Sequence, residues 1–186
     1  NETKKMKIRI KSPDINKSGY NYTVVSSDEI MTGLSAIKGL GSKAVNEIME
    51  NKPFLNLADL LTKCSGRILN KTCIQSLAKS GALDSFGYTR KNIHDNYAKF
   101  RTNAKNKIKK GKNVIEISFP DSKEEWDRKD VLFNEFYVLG RTISGSMHEA
   151  FDGFFTNSRN ITYLNKVPSL SKNDTVKIEA IIKSLK

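Results

Sequence analysis

Lys38-Gly39-Leu40-Gly41-Ser42-Lys43 joins an apolar segment to a second helical pattern, and two kinds of chemistry suit glycines at that spacing. One is conformational, a tight turn whose positive φ only glycine adopts without strain. The other is anion binding. With no Cβ in the way, a phosphate comes close to the backbone and accepts from successive N–H groups at the positive end of the following helix. A weak internal repeat sets a similar turn at Lys79-Ser80-Gly81-Ala82, with Lys38 and Lys79 41 residues apart. Two helices joined by a glycine turn make a helix-hairpin-helix, whose contacts hold a sugar-phosphate backbone and carry no base code. Gly-x-Gly between helices is equally an ordinary helix cap and turn, so both readings stand at this level.

Other reactive side chains offer less. Cys64 and Cys73 are nine residues apart and the histidines are His94 and His148, so no close Cys or His pair suits zinc. Two reduced thiols in a cytoplasmic protein is the plainer expectation. Glu124, Glu125 and Asp127 stand in an acidic-aromatic stretch without a partner motif. Nucleotidyl transfer needs carboxylates clustered around two metal ions about 4 Å apart. No such motif occurs, and neither catalytic nor metal-binding residues are expected in this chain.

Charge narrows the partner class. Lys and Arg number 32 against 20 Asp and Glu, a net +12 over 186 residues, which favours a polyanion: nucleic acid first, an anionic membrane surface second. Between residues 88 and 113 nine cations (Arg90, Lys91, Lys99, Arg101, Lys105, Lys107, Lys109, Lys110 and Lys112) face only Asp95, giving net +8 on one element beside the second turn. No apolar run approaches the roughly 18 residues of a membrane span, and no signal-peptide pattern opens the chain. The first residue is Asn1 rather than Met, so a piece of a larger protein is expected.

Periodicity supplies the elements that hold these residues. Met6, Ile8 and Ile10, and then Tyr20, Tyr22 and Val24, alternate with polar neighbours as two short strands around a turn at Ser12-Pro13-Asp14. Helix is expected from residue 30 to about residue 110. Its apolar stripes run through Ala44, Val45, Ile48 and Met49; through Leu57, Leu60 and Leu61 behind an Asn56 cap; and through Ile74, Leu77 and Ala78. A longer helix carries Ile93, Tyr97, Phe100, Ala104 and Ile108 at steps of four, three, four and four. Helical spacing resumes over residues 131–139, and residues 176–182 alternate as a strand. The fold class is mainly α with short flanking β-strands, a tandem helix-hairpin-helix domain.

These residues also resemble a known family. Pro13-Asp14-Ile15-Asn16-Lys17-Ser18 followed by Gly33-Leu34-Ser35-Ala36-Ile37-Lys38-Gly39-Leu40-Gly41 is similar to the bacterial replicative DNA polymerase III alpha subunits, the C-family polymerases. The likeness continues in order through Pro53-Phe54-Leu55-Asn56-Leu57-Ala58-Asp59-Leu60 and Leu77-Ala78-Lys79-Ser80-Gly81-Ala82-Leu83-Asp84-Ser85-Phe86-Gly87. It ends at Asn134-Glu135-Phe136-Tyr137-Val138-Leu139-Gly140 with Ser144-Gly145. The resemblance implies the end of the fingers and entry strands at residues 1–29 and a tandem helix-hairpin-helix duplex-binding domain at 30–113. A connector would follow at 114–172, with the start of a truncated OB-like strand at 173–186. The family follows Ser-Gly with His-Pro, whereas here Ser146-Met147-His148-Glu149 stands, so His148 is expected at the surface and not as a ligand.

The expected DNA-binding residues are therefore Lys38, Gly39, Leu40, Gly41, Ser42 and Lys43 in the first turn and Lys79, Ser80, Gly81 and Ala82 in the second, with Arg90 and Lys91 close by. Both turns should present their amides to one groove. The implied partner is double-stranded primer-template DNA, with a sliding clamp or other replisome proteins reached through the parent chain, and no membrane. The parent would be a cytoplasmic DNA-directed DNA polymerase with Mg²⁺ in its palm, and the fragment itself would not be catalytic. A free-standing hairpin module of a repair or recombination protein and a basic protein-interaction domain remain alternatives.

Overall fold

The computed structural model describes residues 6–120 and 122–147. The expected strand at 176–182 and His148 lie outside them. Three short strands come first: β1 (Arg9–Lys11), β2 (Thr23–Ser26) and β3 (Glu29–Met31), in the sheet order β1-β3-β2. β3 runs parallel to β1, with Ile10 opposite Ile30, and antiparallel to β2, with an irregularity between Val24 and Ser26. β3 corrects the expectation of helix from residue 30. Ser26 Oγ donates to Asp28 Oδ1 (2.8 Å), tightening a two-residue turn that sends Ile30 back along the sheet.

Helix begins later. The segment before the first glycine turn is only a 3-10 turn, Leu34–Ala36. Five α-helices follow among the described residues: α1 (Ser42–Asn51), α2 (Leu57–Lys63), α3 (Lys71–Lys79), α4 (Arg90–Lys109) and α5 (Arg128–Leu139). The fold is a mainly helical helix-hairpin-helix domain beside a small sheet. The first four helices bury the stripes their spacing predicts: Val45 and Ile48 from α1, Leu57, Leu60 and Leu61 from α2, Ile74 and Leu77 from α3, and Ile93, Phe100 and Ala104 from α4. Ile108 drifts to the surface, 38 % exposed.

The motif at residues 13–18 is a stitch. Asp14 Oδ1 accepts from the amides of Asn16 and Lys17, both at 2.9 Å, folding an Asx turn. Asn16 then exchanges two hydrogen bonds with the Phe54 backbone, at 2.7 and 2.9 Å, between α1 and α2. The Ile15 amide donates to Ala82 O (2.9 Å), so the same loop also fastens the turn after α3. A strap after Gly111 (φ +82°) buries Ile117 and Phe119 and returns to α4, where Phe119 stacks on Phe100 with ring centroids 4.4 Å apart.

Candidate nucleic-acid interface

Four of the five helices begin with a capping side chain. Asn56 accepts from Asp59 N, Asn70 from Cys73 N, Thr89 from Asn92 N and Asp127 from Asp130 N. α1 begins on Gly41, which has no side chain to cap it. The amides of Ser42 and Lys43 precede the i→i−4 ladder and so have no intrahelical acceptor. Lys38, Gly39, Gly41, Ser42 and Lys43 are all exposed, while Leu40 and Val45 turn into the core.

The two glycines differ in purpose. Gly39 has φ +98°, and a Cβ there would overlap Ser76 Oγ on α3. Its carbonyl accepts from Cys73 Sγ at 3.5 Å, so the fold itself requires glycine. Gly41 sits at φ −75°, where any residue is relaxed, and a Cβ would meet no atom within 4 Å. The fold does not demand glycine at Gly41. The open space lies in front of uncapped amides instead.

Substitution should separate the two. Gly39→Val is expected to destabilise the protein by roughly 3 kcal/mol, combining a disfavoured left-handed backbone with overpacking on Ser76. Gly41→Val should cost about 1 kcal/mol or less, as an inferior N-cap. Denaturant unfolding of both variants checks this, and equal losses would contradict it.

The elements also bring together residues that are distant in sequence. The Lys38 amide donates to Val138 O (2.8 Å), docking the end of α5 against the first turn. Lys38 Nζ lies 4.3 Å and Lys79 Nζ 5.6 Å from the centre of the Tyr137 ring, which is 62 % exposed. The repeated lysines thus converge on one aromatic ring beside the start of α1. Tyr137 was not among the expected site residues, because nothing in its local spacing marks it.

The second turn corrects the sequence expectation. Ser80, Gly81 and Ala82 are buried. The Ser80 amide donates to Ser76 O, the Gly81 amide to Ala78 O and the Ala82 amide to Leu77 O, at 3.0 to 3.1 Å. These amides close the C-terminus of α3 and face no groove. Arg90 is likewise turned inward, 12 % exposed, pairing with Asp84 (2.7 Å) and with the fully buried Glu135 (2.9 Å).

Lys91 is neutralised by Glu124, which raises its pKa. Glu125 occupies the start of α4, accepting from the Arg90 amide (2.7 Å) and the Lys91 amide (3.0 Å). The acidic stretch that had no evident role is thus an intramolecular anion on a helix N-terminus. Of the twelve expected residues, Lys38, Gly39, Gly41, Ser42, Lys43 and Lys79 gather at one open surface, Leu40 turns into the core beneath them, and the other five do not join them.

Cys64 and Cys73 are free and buried, and burial pushes the Cys64 thiol up to about 12. Among the described residues no group of three His, Cys, Asp or Glu side chains is placed to hold a metal ion. No described helix is long and apolar enough to cross a membrane.

Comparison with known proteins agrees with this architecture. Residues 7–93 match the helix-hairpin-helix motif family. The chain is similar to DNA polymerase III subunit alpha of Campylobacter jejuni, 30% identical over 94% of this chain and 16% of that protein. It is also similar to the subunit of the same name from Aquifex aeolicus, 31% identical over 94% of this chain and 15% of the relative. The Thermus aquaticus subunit is 42% identical over 43% of this chain and 7% of its own length. The chain therefore spans about a sixth of the length of the relatives it matches most fully.

Proposed function

The chain belongs to the family of DNA polymerase III alpha subunits, and from that premise we propose that it holds duplex DNA by the phosphate backbone within a replicative polymerase. The observation that carries the reading is the start of α1: exposed, uncapped, unobstructed at Gly41 and flanked by Lys38 and Lys43. One phosphate would accept from the Ser42 and Lys43 amides, aided by the roughly half-unit positive charge of the helix dipole. Lys38, Lys79 and Tyr137 would take the neighbouring sugar-phosphate.

Such contacts are indifferent to sequence. Every register of the product duplex is then held with about the same energy, which suits a polymerase that advances one base pair at a time. Nucleotidyl transfer, with its deoxynucleotides and Mg²⁺, belongs in this reading to a palm elsewhere in the parent. The described carboxylates do not fit the two-metal site, because no three of them stand together as ligands.

Salt titration tests the reading. Each neutralised phosphate contributes about −0.9 to the slope of log K against log salt, so four to six contacts imply a loss of about two to three decades between 50 and 200 mM. Fluorescence anisotropy with labelled duplexes of unrelated sequence should give that slope for each. A flat response, or strong preference for one sequence, would count against it.

A further inference from the structure

The second repeat offers no open helix start, but α4 carries another surface further along. Asn96, Lys99, Asn103, Asn106 and Lys110 recur at steps of three and four, so they share one helix face, with Thr102 and Lys107 at its border. The buried side of α4, with Ile93, Phe100 and Ala104, adjoins this face, and Phe100 stands at its edge four residues from Asn96. Past Asp95 the helix has no carboxylate. Two shallow depressions run along this face. One, of about 720 Å³, is lined by Lys99, Asn103, Asn106 and Lys110; the other, of about 400 Å³, shares Lys99 and Asn103 and reaches Asn96.

The chemistry of this stripe is one-sided. Lysine has only donors, and the amides and hydroxyl between the lysines donate without carrying negative charge. Phosphodiester oxygens only accept. From Lys99 to Lys110 the stripe is roughly 16 Å long at 1.5 Å per residue. That length covers about five steps of duplex at about 3.4 Å each. Three other cations of the same helix are spent on the protein itself: Arg90 on Asp84 and Glu135, Lys91 on Glu124, and Arg101 on Leu69 O (2.9 Å). Lys99 and Lys110 remain exposed, and Lys107 reaches no further than Ser118 O at 3.3 Å.

We infer that the Asn96–Lys110 face of α4 is a second seat for the phosphate backbone of duplex DNA, separate from the start of α1. The inference rests on the reading of this chain as a duplex-holding segment. It replaces the second hairpin, closed by Glu125, as the source of the remaining contacts.

The test uses the purified chain, a labelled duplex of about two helical turns (roughly 20 base pairs), and three variants whose folding is confirmed by circular dichroism. Lys99→Gln/Lys107→Gln/Lys110→Gln should make the salt slope shallower by about two to three and weaken binding about tenfold or more at low salt. Lys105→Gln/Lys109→Gln/Lys112→Gln removes equal charge from the other flank and should change the slope by less than about one. Lys43→Glu reports on α1 alone.

Loss of affinity in the first triple but not the second supports the second seat. Equal loss in both overturns it, since the lysines then act only as bulk charge. Unchanged binding in the first triple with weakened binding in Lys43→Glu overturns the seat and leaves the function proposed above standing. Unchanged binding in both overturns both. Displacement of the duplex by an acidic polypeptide such as polyglutamate, at matched charge and with equal strength, overturns the assignment to DNA.

Discussion

Glu135→Ala is expected to lower unfolding stability by about 3 kcal/mol, the low end for breaking a buried ion pair. Glu135 is fully buried on α5. One carboxylate oxygen accepts from Arg90 Nη1 (2.9 Å), and the other from the amides of Ile143 (2.8 Å) and Ser144 (3.0 Å). Truncation strands a mostly buried guanidinium and two amides at once, while Asp84 still holds the other side of Arg90. For a chain of this size the loss corresponds to about 6–12 °C in Tm. A shift of under about 2 °C would show the network to be energetically idle.

The same network has a pH signature. Burial alone would raise the Glu135 pKa, but the Ile143 and Ser144 amides and the Arg90 guanidinium outweigh it and hold the carboxyl below the ordinary glutamate range. A group depressed in the folded state stabilises above its unfolded pKa, about 4.3, and loses that contribution as pH falls through the lower folded value. Glu135→Gln should therefore be less stable than the parent at neutral pH and nearly level with it at the acidic extreme. Chemical unfolding at a series of pH values checks this, and a constant difference at every pH would contradict it.

The second large effect concerns binding. Lys38→Glu/Lys43→Glu should weaken duplex binding about a hundredfold near 50 mM salt and make the salt slope shallower by about two. Both side chains are exposed, so the fold should survive, apart from the Lys38 contact with Tyr137, worth about 0.5–1 kcal/mol. Lys7→Glu/Lys17→Glu makes the same charge change on exposed residues before β1 and in the Asp14 turn and should cost far less affinity. Equal losses in the two doubles would reduce the first turn to general basicity.

What could be foreseen from the sequence divides along a physical line. The burial of Ala44, Val45 and Ile48, the Asn56 cap and the exposed turn before α1 are local properties, set by a period of 3.6 residues and by caps within three residues. The fate of the second turn is not local. Ser80, Gly81 and Ala82 read like a copy of the first turn, but Ile15, 67 residues away, takes the Ala82 carbonyl, and Glu125 arrives from 35 residues beyond Arg90 to close α4. β3 was hidden because its apolar residues, Ile30 and Met31, are adjacent and show no alternation. Tyr137 gains its meaning only where α5 ends against Lys38. The ordered resemblance pointed to the family, yet it could not tell an open helix start from one filled by the chain's own carboxylate.

The central claim is that duplex DNA meets this protein at the start of α1 and not at the second turn. Backbone amide ¹H–¹⁵N shifts during titration with duplex DNA at low salt read both places in one experiment. Progressive shifts are expected at Gly41, Ser42 and Lys43, while Ser80, Gly81 and Ala82, buried and internally bonded, stay still. Shifts at Ser80 to Ala82 equal to or larger than those at Gly41 to Lys43, or no shift at Gly41 to Lys43 while the duplex is bound, would contradict it.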